Sequence, residues 1–331
     1  MVYTIVEATV HVKANRSKLS YMCDCYEMPS RKFSEVALRL LLDKLCRILP
    51  DRQQYVFLAG MKKIKNILFR KDFNRLLSSW DHFHGLESNL AIRSNSEGIF
   101  IITHDVDYKE GYEYLPGLIE VDRELDIRAT YNVLTNAQYE LENRTLFSIL
   151  DNGNEIGLHG KTHDRALGFR SHKYIYDFIS FSKKELEERI GKIYGFRAPA
   201  LAISEKVVSV LEKIGFTYDS SLTNSDLYTS FTPNFVPYII SNSKVIEIPL
   251  TIQDSMFVND IPLSVSQIDR VFKHLIDMTE RNRLTLVLNC HPIIIKYNHG
   301  IYTRIVQLLR DSPLTNRVMK NLPDDINIVP S

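Results

Sequence analysis

His159-Gly160-Lys161-Thr162-His163 sets two imidazoles four positions apart, directly after the run Glu155-Ile156-Gly157-Leu158. Both rings can turn toward one point if the backbone curls there. Upstream, Thr103-His104-Asp105-Val106-Asp107 supplies two carboxylates. Along an extended strand alternate side chains share a face, so Asp105 and Asp107 point one way and His104 and Val106 the other. Two carboxylates on one face repel unless a cation or a shared proton lies between them. One of them binding a metal and the other staying free as a base is the chemistry of metal-assisted hydrolysis. Two His and one Asp make a three-ligand site that leaves positions open on the ion.

Three further residues join this set. Arg197 stands in Arg-Ala-Pro, where the proline limits the backbone and keeps Ala198 out of a helix. An Arg held there can pair in bidentate fashion with a carboxylate, and Asp105 is its expected partner. His291 follows Leu286-Val287-Leu288-Asn289-Cys290 and is expected to face the same pocket from the opposite rim, as proton donor to a leaving group. Asp219 ends another short apolar run and is expected to orient a His or Arg.

The elements that must position these groups alternate from residue 99 onward. Ile99-Phe100-Ile101-Ile102-Thr103 reads as a buried strand. Strands are also expected at residues 129–134, 155–158, 216–219, 245–250 and 284–289. Helices are expected at 115–125, 144–151, 174–190 and 266–279, with a further one capped by Ser204. Repeated βα units argue for a parallel sheet or barrel. Most of the polar candidates fall at the C-terminal ends of expected strands, the rim where parallel α/β folds build active sites.

Residues 1–95 read differently. Helical patterns dominate at 33–49 and 55–83, the second with a Lys- and Arg-rich side, and no catalytic cluster is visible. That basic side is a solvated helix face or a surface for an anionic lipid or carrier. The polar stretch Arg93-Ser94-Asn95-Ser96-Glu97-Gly98 reads as the boundary, giving a mainly helical region of unknown role at 1–95 and an α/β domain at 96–331.

With 331 residues, 44% hydrophobic and 24% charged, the chain has the composition of a globular protein with a sizeable core. A net charge of +1 implies no broad basic surface, so nucleic acid is not an expected partner. Cys23, Cys25, Cys46 and Cys290 form no paired framework and read as ordinary thiols of a reducing compartment. No run reaches the roughly 18 apolar residues of a spanning helix, and the start lacks a secretory pattern. The expectation is a cytoplasmic protein without a transmembrane segment, with peripheral membrane contact left open.

The motifs from about residue 99 to about residue 292 resemble the NodB-homology polysaccharide deacetylases, carbohydrate esterase family four. The family's first motif, usually Thr-Phe-Asp-Asp-Gly, is similar to Thr103-His104-Asp105-Val106-Asp107. Its His-Ser/Thr-x-x-His resembles His159 to His163, its Arg-x-Pro resembles Arg197-Ala198-Pro199, and its Leu-x-x-His resembles Leu288-Asn289-Cys290-His291. The second motif is the most specific. The resemblance implies a distorted (β/α)7-type barrel that removes acetyl groups from N-acetylated sugars. It implies Asp105 as general base, and Asp107, His159 and His163 as ligands of zinc or a similar divalent ion such as cobalt, manganese or nickel. Arg197 would hold Asp105, His291 would be the general acid, and Asp219 would stand for the fourth motif. The adjacent Asp-Asp of the family is Asp-Val-Asp here, and the sole tryptophan, Trp80, lies outside the matching region. The expected substrate is an N-acetylated polysaccharide, oligosaccharide or lipid- or nucleotide-linked sugar. Hydrolysis of another non-peptide C–N bond, such as a formamide or cyclic amide, and a non-catalytic carbohydrate-binding role are the alternatives.

Overall fold

The computed structural model describes residues 97–224, 234–240, 243–260 and 263–322. The helices expected within 1–95, and three of the four cysteines, lie outside these residues.

Strand β1 (Ile99–Val106) is buried along its whole length, as its unbroken apolar start requires of a parallel strand covered on both faces. Helix α1 (Lys109–Glu124) leads to β2 (Ala129–Leu134), α2 (Asn143–Asp151) to β3 (Glu155–Gly160), and α3 (His172–Ile190) to β4 (Gly195–Phe196). Helix α4 (Glu205–Lys213) precedes β5 (Tyr218–Asp219); β6 (Tyr238–Ile239), β7 (Ile246–Glu247) and β8 (Ile252–Gln253) follow. Helix α5 (Val265–Asn282), β9 (Thr285–Cys290), α6 (Pro292–Tyr297), α7 (His299–Arg310) and β10 (Thr315–Asn316) complete the described domain.

The strand order is β6-β7-β5-β4-β3-β2-β1-β9-β8, parallel apart from β6, with β10 beside β1. One segment closes the path. Ile246 and Glu247 pair with β5, Leu250 bridges Thr223, and Ile252 and Gln253 pair with β9. The chain from 246 to 253 therefore crosses from one end of the sheet to the other. Counted as one stave beside β1–β5 and β9, it makes the expected distorted (β/α)7-type barrel.

Alternation sorts the side chains into two cores. Phe100, Ile102 and Val106 of β1 join the large outer cluster against the helices. Ile99 and Ile101 face inward and meet Tyr218, Ile246, Ile248 and Val287 from across the barrel, with Met319 and Leu322 closing the floor. Ascending β1 on the inner face, Ile99 and Ile101 give way to Thr103 and Asp105, so the barrel is apolar below and polar at the C-terminal rim. Gly195 has no side chain because a Cβ there would stand 1.8 Å from the Tyr218 ring.

Three details depart from the sequence expectation. Helix α1 begins at Lys109 rather than near 115, and it runs through Pro116, the residue that hides it from a pattern reading. The strand expected at 245–250 is reduced to Ile246–Glu247, because the chain is changing partners there. Ser204 stands at the N-cap of α4 but its hydroxyl bonds nothing there, whereas Ser171 caps α3 and Ser264 forms a full capping box with Gln267.

Candidate active site

The inward face of the rim gathers six of the seven expected residues. Asp107 lies just past β1, His159 near the end of β3, and His163 three residues beyond Gly160. Gly160 has φ +107° and a Cβ on it would press on Phe178 at 2.8 Å. Only glycine holds that backbone without strain, and the turn it makes brings the second imidazole back toward the first. His159 Nε2 is 3.1 Å from Asp107 Oδ1, and His163 Nε2 is 3.4 Å from Asp107 Oδ2. One donor atom from each of the three residues lies within 4.8 Å of the others, the one such group among the described residues.

The donors fit a divalent cation. His159 Nδ1 donates to the Arg197 carbonyl at 2.8 Å, which turns Nε2 toward Asp107; burial lowers the ring's pKa, but Asp105 and Asp107 outweigh it and raise it. That Nε2 and Asp107 Oδ1 are buried and have no hydrogen-bond partner. An imidazole nitrogen and a carboxylate oxygen facing each other at this distance call for a positive centre between them, a proton or a metal ion. Two ligands about 2.0–2.1 Å from a tetrahedral zinc ion stand roughly 3.3 Å apart, close to the spacings seen here. An Asp, two His and an open fourth position are the donor set of a hydrolytic zinc site. Burial raises the Asp107 carboxyl, but His163, His159 and His291 outweigh it and hold the group well below the usual carboxylate range. Burial, with Arg165, His159 and His291, pushes the His163 imidazole down to about 3 against the pull of Asp107, so it is neutral and ready to ligate.

Asp105 stands beside this group with both oxygens engaged. Oδ1 accepts from Asn132 Nδ2 and Oδ2 from Asn289 Nδ2, each at 2.8 Å. Burial raises its pKa, yet Arg197, His159 and His291 more than compensate and keep it ionised. Arg197 is fully buried, but it does not form the expected bidentate pair. The asparagines already occupy the Asp105 oxygens. Arg197 Nη1 therefore reaches Asp105 Oδ1 only at 3.5 Å and donates to Thr103 Oγ1 at 2.9 Å, while Nη2 donates to Ser220 Oγ at 2.7 Å.

His291 sits between β9 and α6, its Nε2 3.8 Å from Asp107 Oδ2. Its Nδ1 is 2.6 Å from Asp254 Oδ1, and its backbone N–H donates to Asp254 Oδ2 at 2.6 Å. Burial lowers its pKa, but Asp254, Asp107 and Asp105 lift it to about 9, so the ring is protonated at neutral pH. Asp254 went unnoticed in the sequence because β8, which it follows, has only two residues and no visible period. Asn132 and Asn289 carried a signal, as polar side chains inside otherwise apolar parallel strands.

Asp219 is not brought to the ligand group. Its carboxyl accepts from Ser221 N and Oγ at 3.1 and 2.8 Å and shares a hydrogen bond with Glu247. Burial lifts it to about 6, and of the His and Arg it was expected to orient, Arg197 is the one that feels its charge.

Residues 93–218 match the profile of the polysaccharide deacetylase family. Over those residues, less than half of its length, the chain is similar to that family. It is 30% identical over 153 residues to a peptidoglycan deacetylase-like protein of Gibberella zeae, covering 44% of this chain and 42% of that one. It is 29% identical over 132 residues to a peptidoglycan deacetylase of Helicobacter pylori, covering 40% and 43%. The aligned part thus spans about two fifths of the length of the curated relatives it matches. A solved structure from Mycobacterium smegmatis, described as a polysaccharide deacetylase, superposes on 70% of this chain and 91% of its own with a TM-score of 0.57 at 18% identity, a likeness of fold. The match ends at Tyr218, so Asp254 and His291 are placed by the structure alone. Among the described residues no helix is long and apolar enough to cross a membrane.

Proposed function

We propose that the domain hydrolyses the N-acetyl group of a sugar, with a divalent ion held by Asp107, His159 and His163. The reading rests on one observation above the others: two buried donor atoms, Asp107 Oδ1 and His159 Nε2, face each other at 3.1 Å with His163 beside them, next to an ionised carboxylate and a protonated imidazole. The family match and the relatives named as peptidoglycan deacetylases support it.

When bound there, zinc, cobalt, manganese or nickel would polarise the amide carbonyl and ease deprotonation of water. Asp105 takes the proton of the attacking water, aimed by Asn132 and Asn289 and kept ionised by Arg197. The Arg197 carbonyl fixes the His159 tautomer, so one residue serves both the base and a ligand. As the C–N bond breaks, His291 gives its proton to the departing nitrogen, and Asp254 keeps that proton available and the ring oriented. Acetate and a free amino sugar leave. The substrate is an N-acetylated polysaccharide, oligosaccharide or lipid- or nucleotide-linked precursor.

The test is acetate release from N-acetylglucosamine oligomers by protein stripped with a chelator and then supplied with zinc or cobalt. Activity that disappears with the metal and returns with it is the expected result. Formate or ring-opened product from other amides, with no acetate from any sugar, would transfer the site to a different C–N bond. Absence of metal uptake would overturn the reading.

A further inference from the structure

The two histidines of the ligand group are held by different means. A metal-ligating imidazole as a rule donates its second ring N–H to a fixed acceptor, which sets the tautomer and the tilt of the ring. His159 has that partner in the Arg197 carbonyl, 2.8 Å from its Nδ1. His163 turns its Nε2 toward Asp107, and among the described residues nothing forms a hydrogen bond with its Nδ1. Its remaining neighbours are rings, Tyr108 at 6.3 Å and His159 at 5.4 Å between centroids, and neither contact sets a hydrogen-bond direction. An imidazole without an orienting bond takes its position from its backbone.

That backbone is fastened at the next residue. Asp164 is fully buried, and every polar group it carries is engaged. Its N–H donates to the Thr162 carbonyl at 2.7 Å, and its carbonyl accepts from Leu167 N at 3.1 Å. Oδ1 accepts from Ala166 N and from Arg170 Nη2, both at 3.0 Å. Oδ2 accepts from Arg170 Nε at 2.9 Å and from the Tyr174 hydroxyl at 3.0 Å. The pairing with Arg170 is bidentate, the geometry in which a guanidinium fixes direction as well as distance. Arg170 also lies over the Tyr174 ring, 5.5 Å from its centroid. Arg170 and Tyr174 stand on either side of Ser171, the cap of α3, so the carboxylate ties the residue after His163 to the start of a long helix. The segment is thus fixed twice: Gly160 makes the turn out of β3, and Asp164 holds its far end. A buried carboxylate opposes folding unless charge and hydrogen bonds compensate it. Every partner of this carboxylate lies within ten residues of it, so the arrangement shapes one turn and joins no distant layers of the barrel.

We propose that Asp164 is a positioning residue for His163: its carboxylate, gripped by Arg170 and Tyr174, fixes the backbone that aims the imidazole and takes the place of the hydrogen bond that orients His159. The inference rests on the metal reading of the site and adds a supporting residue to its three ligands.

Competition titration of the chelator-stripped full chain with zinc against a chromophoric chelator tests this, with the visible spectrum of the cobalt-loaded protein reporting ligand geometry. Asp164→Asn keeps the side chain's size but turns an amide N–H toward the donors. It should weaken zinc binding by about 10–100-fold, the usual cost of removing support from a metal ligand, and change the cobalt spectrum. Tyr174→Phe removes one hydroxyl from the exposed end and should act in the same direction by less; it decides alone if the asparagine variant does not fold. Leu309→Ala, a truncation in the outer core on α7, should lower Tm and leave zinc affinity and the cobalt spectrum as they are. Unchanged affinity and spectrum in the Asp164 and Tyr174 variants, or an equal loss in Leu309→Ala, would overturn the proposal. An unaltered chain that takes up neither metal would sink the metal reading itself, and this inference with it.

Discussion

Asp105 and Asp107 are two positions apart yet face different demands. Asp107 turns its two oxygens toward imidazole nitrogens, whereas each Asp105 oxygen accepts from an asparagine amide and keeps a second lone pair for a proton. The first is built to meet a cation and the second to stay ionised in one orientation. Asp105→Asn should therefore keep the metal and lose turnover by about 10²–10⁴-fold, the usual worth of a general base. Metal analysis beside acetate release checks it, and near-normal turnover would move the base elsewhere. His159→Ala removes one of the three proposed ligands and should lose metal and activity together. Asp254 acts through His291. Rate should fall as pH rises through about 9, when His291 loses its proton, and a cation on the neighbouring ligands brings this limb lower. Asp254→Asn removes the largest charge that raises the imidazole, so the alkaline limb of kcat should move to lower pH. An unmoved limb would show that His291 is not the acid. The same pairing has a stability sign. Its folded pKa is raised, so its contribution is full below the unfolded imidazole's value near 6.5 and fades as pH rises through about 9.

At the scale of elements, the site depends on how strands end. Long strands were legible: the run at 99–103 announced itself by β-branched content, those at 129–134 and 284–289 were expected as well, and period-two alternation puts Asp105 and Asp107 on one face. The His-x-x-x-His pair was legible too, by its spacing directly after an apolar run, though the turn at Gly160 that joins the rings was not. What stayed hidden has physical causes. Strands β4, β5, β7 and β8 have two residues each, too few for a period, so Asp254 at the end of β8 was invisible. Arg197 was found by its motif, but its partners Thr103 and Ser220 come from separate staves, and only closure of the barrel shows that two asparagine amides stand where the Arg197 fork would have met Asp105. Gly160 offers a direct test of the turn. An alanine there would hold a backbone that side chains rarely adopt and would press on Phe178, a strain of about 1–3 kcal/mol placed between two ligands. Gly160→Ala should lower both thermal stability and metal affinity, read by calorimetry and by metal titration. A variant with unchanged affinity would mean that His163 reaches the site without this turn.

For the whole molecule, the barrel separates the interior into an apolar floor and a charged rim. Ile99, Ile101, Val287 and Met319 pack the floor, whereas Asp105, Asp107, His159, Arg197 and His291 crowd the rim within a few ångströms of one another. Burying that many ionisable groups opposes folding unless their charges are matched. Asp107 draws its balance from imidazoles, and the Nε2 of His159 faces its carboxylate oxygen at 3.1 Å. A divalent ion relieves both strains and binds only the folded arrangement, since its ligands come from β1, β3 and the turn beyond. Binding that is confined to the native state stabilises it by about 2.7 kcal/mol at a hundred-fold excess over Kd. In a domain of this size that corresponds to roughly 5–10 °C in Tm. Zinc added to chelator-stripped protein should therefore raise Tm by that amount in a concentration-dependent way. His159→Ala should abolish the response, while Asp105→Asn should retain it, because that carboxyl group is not a ligand. A Tm indifferent to zinc in the unaltered protein would mean that the facing lone pairs are bridged by a proton, and the site would lose its claim to a metal.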